Sequence, residues 1–273
     1  MFDIHIVSKE RHVDKRWRRY TSYTHTAADA VADLVLPELS RACMAMPIGF
    51  IAAKGGLAPV AVQGLEPGKN LLVADDGRWL VEYIPAAYRS YPFALGAAED
   101  GQPVLCVAED SGLLSDASGE PFLDEHGELA PSLKEVLDFM VRVAVQRSAT
   151  QRICRVLQKH DLVRPWPFER KTEAGIQIIG GLHRVDKAAL ARLSADAFQE
   201  VRLAGALPMI YCHLLSMQHM SELKRLGDMH ATDQATSTLA PAGDLDLEFL
   251  NNEGTISFGD PGRPFMQGRE VYS

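Results

Sequence analysis

The chain has 273 residues, 47% hydrophobic and 23% charged, with a formal net charge of -8. That length buries a sizeable core as one large domain or two small ones, and the acidic balance argues against a general nucleic-acid footprint. Four widely spaced cysteines (Cys43, Cys106, Cys154 and Cys212) lack any CxxC pairing and read as buried free thiols, which suits a reducing compartment.

Residues 1–27 read as an edge strand followed by a loop, carrying the basic run Lys9, Arg11, Lys15, Arg16, Arg18 and Arg19. Residues 27–43 show helical spacing at Val31, Leu34, Val35 and Leu39, with Asp29 and Asp33 early, where acids suit the helix dipole. A helix is expected there, broken near Pro37. Short apolar runs at 48–53, 59–63, 70–74 and 79–83, divided by Gly55-Gly56, Pro67-Gly68 and Asp76-Gly77, predict an antiparallel meander. Two further strands are expected at 93–95 and 104–107.

Residues 109–128 are acidic and rich in turn formers. From Pro131 to about Lys159 the period changes to 3.6, with Ser132 and Glu135 spaced as a capping box. Extended character returns over 161–179. Asp186 and Ser194 suit the N-caps of two short helices, the second closing at Gly205, and Pro208 suits the first turn of a helix running towards Asp228. The tail is polar after His230, and 244–258 has the alternation of a β-hairpin. The fold class is therefore α+β: an antiparallel strand-rich N-terminal half packed with a helix-rich C-terminal half, plus an extended C-terminal tail. The domain reading is one α+β unit over 1–230, with a linker and tail over 231–273.

No apolar run approaches the roughly 20 residues that span a bilayer, and residues 1–10 lack the features of an export signal. A cytoplasmic protein without a membrane span is expected. The acidic 109–128 segment offers oxygen ligands but no EF-hand spacing. His213 and His219, six residues apart on one helix, point about 120° apart and do not form a joint metal grip. No metal site is expected, and the sequence leaves the cofactor unknown. Gly64 to Asn70 looks superficially like a phosphate loop but lacks its spacing. Arg147 and Gln151 fall on the apolar stripe of Leu133, Leu137, Met140, Ala144, Cys154 and Leu157. A guanidinium there needs either a ligand or partner carboxylate or a structural ion pair.

Several blocks carry a family likeness. They include Arg16-Trp17, Met46-Pro47-Ile48-Gly49-Phe50, Gly64-Leu65-Glu66-Pro67-Gly68-Lys69-Asn70, Gly77-Arg78-Trp79, Tyr83-Ile84-Pro85, Tyr91-Pro92-Phe93 and Gly181-Leu182-His183-Arg184. Together they resemble the SapC family over roughly residues 15–230. The resemblance implies a bacterial protein under a surface-layer or envelope label, whose relatives look like accessory proteins beside nutrient-uptake receptors and halogenase-like enzymes. It names no reaction.

The leading expectation is an accessory or interaction protein with a protein partner. One alternative is a small-ligand-binding protein or enzyme with a pocket between the meander and the helices. Another is a surface-layer or envelope component. The candidate ligand residues are Glu38, Glu66, Asn70, Arg78, Trp79, Arg147 and His183, chosen as polar groups beside packed aromatics.

Overall fold

The computed structural model of the chain describes residues 3–172, 175–237 and 256–257. The first half contributes β1 (Ile4–Ile6), α1 (Lys9–His12), β2 (Arg16–Trp17), β3 (Val31–Asp33), α2 (Leu39–Ala42), β4 (Ile48–Ala53) and β5 (Gly56–Val62). It continues with β6 (Phe93–Ala97), β7 (Pro103–Ala108), β8 (Leu114–Ser115) and β9 (Glu120–Pro121). The long helix α3 (Pro131–Lys159) is followed by β10 (Val163–Pro165), β11 (Phe168–Thr172), β12 (Gly175–Gly180) and β13 (Leu182–Val185). Helices α4 (Lys187–Ala191), α5 (Ala195–Leu203), α6 (Leu207–Ser216) and α7 (Met220–Ser237) follow, and β14 (Ile256–Ser257) pairs in parallel with β12.

A five-stranded antiparallel sheet in the order β10-β13-β4-β5-β3 is the centre of the molecule. The β4–β5 hairpin turns through Gly55 at φ +96 and Gly56 at φ +128, conformations that glycine adopts without steric cost. A second sheet, β1-β7-β6, covers a separate cluster of Trp17, Phe93, Leu105, Val107, Phe122, Leu133 and Met140. Helix α3 joins the two cores. Its first half buries Leu133 and Met140 in the smaller cluster, and its second half buries Ile153, Cys154 and Leu157 in the larger one. At 29 residues it is about 44 Å long.

The α+β expectation holds, with a strand-rich first half and a helical second half. Both short-helix caps are also present: Asp186 Oδ1 accepts from Ala188 and Ala189 N–H at 2.9 and 3.1 Å, and Ser194 Oγ accepts from Ala197 N–H at 3.2 Å. Gly205 follows α5 at φ +72. All four cysteines are free, with Cys43, Cys106 and Cys154 buried.

Four details differ from the sequence reading. Residues 27–43 are not a helix: β3 pairs with β5, and only Leu39–Ala42 is α-helical, after a 3-10 turn at Leu36–Glu38. A helix continued through Pro37 would drive its ring into the carbonyl of residue 33, whereas β-branched Val31 fits the sheet edge. The meander has two strands here rather than four, because 70–83 is turn-rich with a single bridge, Val73 to Trp79. Helix α3 starts at Pro131 after Ala130 and uses no side-chain cap. The helix expected from Pro208 is interrupted by a 3-10 turn at Met217–His219. Most of the expected 244–258 hairpin lies outside the described residues.

Candidate ligand-binding site

The segment leading into β3 and the segment leading into β6 face one another across a cavity of about 100 Å³. His25, Asp29, Asp33, Tyr88, Tyr91 and Phe93 line it. Among the described residues β3 is an edge strand, with no further strand on its outer side to fill the space. The facing wall is held by Glu38, whose carboxylate accepts from Tyr83 Oη–H and Ala86 N–H, both at 2.8 Å, and from Val35 N–H at 2.8 Å. Trp79 Nε1–H donates to the Tyr83 carbonyl at 2.9 Å, and its ring lies 5.3 Å from Tyr23 and 5.9 Å from Tyr88. The His25 imidazole stacks on Tyr91 with centroids 3.8 Å apart and planes 7° from parallel.

A chain of hydrogen bonds with a fixed direction runs to the cavity wall. Asn70 Oδ1 accepts from Leu72 N–H at 2.9 Å, and Asn70 Nδ2 donates to the Thr26 carbonyl at 3.1 Å. Those two backbone groups set which end of the Asn70 amide is nitrogen. Asn70 Nδ2 also donates to Gln63 Oε1 at 3.2 Å, which fixes the Gln63 amide in turn. Tyr88 Oη–H therefore gives its single proton to Gln63 Oε1, at 2.8 Å. Burial lifts the Asp29 carboxyl to about 6, against hydrogen bonding with Tyr88, which favours the carboxylate.

Other groups around the cavity are displaced from their ordinary protonation as well. Burial pushes His25 down to about 4, against a hydrogen bond with the Ser22 backbone. Its ring is thus neutral at physiological pH. Its Nε2 is buried with no hydrogen-bond partner among the described residues, as is Gln63 Nε2. Burial raises Asp33, opposed by Arg147, whose Nη2 lies 3.2 Å from Asp33 Oδ2. Tyr88 is raised well above the ordinary tyrosine range, by burial first and then by the nearby Asp29.

The seven residues expected from sequence separate clearly. Asn70 anchors the chain that ends at the cavity, Glu38 and Trp79 brace the cavity wall, and Arg147 partners the lining residue Asp33. Arg78 is exposed and paired with Asp76 at 2.6 Å. Glu66 is half-buried and lies away from the cavity lining. His183 sits on β13, opposite Phe50 and three strands from β3, and its buried Nδ1 has no hydrogen-bond partner among the described residues. Sequence reasoning missed His25, Asp29, Asp33, Tyr88 and Tyr91. The aromatic and hydroxyl run from Tyr20 to Thr26 was the available signal, and the two aspartates were absorbed into an expected helix start.

A wider cleft of about 400 Å³ lies between α1 and β8. Its charges already satisfy one another: Arg11 holds both oxygens of Glu109 at 2.9 and 3.0 Å, and Lys15 holds Asp116 at 2.6 Å. Beside it, Asp3, His5 and Glu109 bring ligand atoms within 4.8 Å of one another, with the guanidinium of Arg11 on the Glu109 carboxylate. The buried His12 Nε2 at this cleft also lacks a hydrogen bond but lies 3.3 Å from Glu109 Oε1, whereas His25 Nε2 has no ion-pair partner among the described residues, which makes the smaller cavity the better candidate.

Fold and cavity define an α+β protein with a small, carboxyl-bearing, aromatic-walled pocket at a sheet edge. The chain belongs to the SapC family, whose profile matches residues 7–223, a span that contains every residue of the pocket. No curated protein and no solved structure matches it. Among the described residues, no helix is long and apolar enough to cross a membrane.

Proposed function

We propose that this SapC-family chain is a small-molecule-binding protein whose ligand occupies the cavity between residues 25–33 and 87–93. The observation that carries this reading is the unpartnered His25 Nε2 at a cavity that also holds a carboxyl group lifted to about 6. Buried polar atoms are ordinarily paired, so an orphan beside a void supports a site that a ligand completes. A thermal-shift screen of metabolites tests it, since a ligand at about 100 times its dissociation constant stabilises by roughly 2.7 kcal/mol. A hit whose shift disappears in His25→Phe supports the reading. Uniformly null shifts across small polar compounds contradict it.

A second reading, a role as an accessory protein, draws support from the outer face of α6. Tyr211 and Leu215 stand one helical turn apart there and are 54% and 63% exposed. The family label adds an association with uptake or halogenase-like systems to this reading, and a cytoplasmic site of action goes with it. Affinity capture with the intact protein and with a folded Tyr211→Glu/Leu215→Glu variant tests it. A partner lost from the variant alone supports the accessory role, and identical capture by both removes this face from it.

A further inference from the structure

We propose that the cavity selects a small organic cation, a primary ammonium with about four heavy atoms, seated between the Asp29 carboxylate and the His25 Nε2 lone pair in a lining that includes Tyr88 and Tyr91. The proposal rests on the ligand-binding reading given above. The charge of the lining comes first. Asp29 and Asp33 are the acids among the lining residues, and no lysine or arginine lines the cavity. Arg147 reaches Asp33 at 3.2 Å, which leaves Asp29 as the lining acid without a cationic partner among the described residues.

An anionic ligand would meet two carboxyl groups and no donor of opposite charge. An apolar ligand would leave His25 Nε2 buried and unpaired. A positive ligand resolves both problems, because its N–H groups donate to the imidazole lone pair and its charge compensates Asp29. The tautomer makes this possible: the neutral ring's hydrogen bond to the Ser22 backbone favours its proton on Nδ1, since Nε2 has no hydrogen-bond partner among the described residues, and that leaves a lone pair on Nε2.

The walls fit the same chemistry. Tyr88, Tyr91 and Phe93 all contribute to the lining, and an aromatic surround favours an ammonium group over an anion, more so where water is excluded. Size limits the ligand further. A cavity of about 150 Å³ accommodates benzene, so about 100 Å³ accommodates roughly four heavy atoms. A bare metal ion is a poorer occupant. Among the described residues, the trio of metal-ligating atoms that converges within 4.8 Å is Asp3, His5 and Glu109, and none of these lines the cavity.

The test compares three-carbon probes of four or five heavy atoms on the full chain at pH 7.5: n-propylammonium, n-propanol and propionate, titrated by NMR with the His25 side-chain nitrogens as reporters. The expected result is propylammonium binding at least tenfold tighter than propanol and no response to propionate. Asp29→Asn should weaken propylammonium at least tenfold and leave propanol within twofold. The wild-type series decides the matter even if that variant does not fold. Propanol or propionate binding as tightly as propylammonium would overturn the cation and leave the ligand site standing. A His25 signal that responds to none of the three, while a larger screening hit moves it, would overturn the size and charge assignment alone. No response to any compound would remove the ligand-binding reading with it.

Discussion

His213 and His25 are both held near 4 by burial, yet they do different things. His213 sits on α6 with both nitrogens used by the backbone. Its Nδ1 donates to the Ile48 carbonyl at 2.8 Å and its Nε2 accepts from Val185 N–H at 3.2 Å. Those bonds tie α6 to the neighbouring strands β4 and β13 and fix one tautomer. Protonation would set an imidazolium N–H against the Val185 N–H. His25 has the same depressed basicity but leaves Nε2 unpaired beside an open cavity. Depressed basicity therefore does not mark a functional histidine; unused hydrogen-bonding capacity next to space does.

The largest expected effect lies on the structural side of this comparison. His213→Ala should cost about 3 kcal/mol or more, because it orphans a buried carbonyl and a buried N–H and opens a cavity, and denaturant melts measure it directly. His25→Phe keeps the stack on Tyr91 and removes the unpaired nitrogen, while giving up one hydrogen bond with the Ser22 backbone. It should change stability by less than about 1 kcal/mol while abolishing the thermal shift given by ligand. A His25→Phe cost as large as that of His213→Ala would erase the distinction.

The pH dependence sharpens it further. Both histidines are neutral in the folded chain down to about 4 but protonate near 6.5 when unfolded. The unfolded state binds more protons in that window, so each contributes stability that is present above pH 6.5 and lost as pH falls towards 4. Asp29 works the other way. Its folded value of about 6 lies above its ordinary 3.8, so the folded state binds the extra proton and stability rises as pH falls through 6. His12, lowered by burial, adds to the loss and Asp33, raised by burial, opposes it, so three histidines oppose two aspartates and the wild type should lose stability between pH 6.5 and 4. Asp29→Asn should steepen that loss, and chemical denaturation at half-unit pH steps reads the slopes. The smallest effect belongs to Arg78→Ala, which breaks an exposed pair with Asp76 and should leave the melting temperature unchanged.

Much of the scaffold was legible because it is locally encoded. The 3.6 period of α3, the Asp186 and Ser194 caps and the β6–β7 hairpin around Gly101 each depend on residues a few positions apart. Residues 27–43 were misread because Val31, Leu34, Val35 and Leu39 fit a helix by spacing, while the partner that makes Val31–Asp33 a strand lies on β5, about thirty residues away. The same long-range pairing hid the site. Asp29 and Asp33 look like helix-start acids in isolation and become cavity residues only when the 86–93 segment is pinned opposite them by Glu38. Asn70 was found for its polarity beside aromatics, but its role, setting the direction of the chain through Gln63 to Tyr88, is a tertiary property.

The most direct measurement is long-range ¹H–¹⁵N NMR of the histidine side chains during titration with small ligands. Binding at the proposed site should shift the His25 Nε2 resonance in a saturable way and leave both His213 nitrogens unmoved. If His25 stays fixed throughout a screen, or if it moves only together with His213, the cavity is not a ligand site.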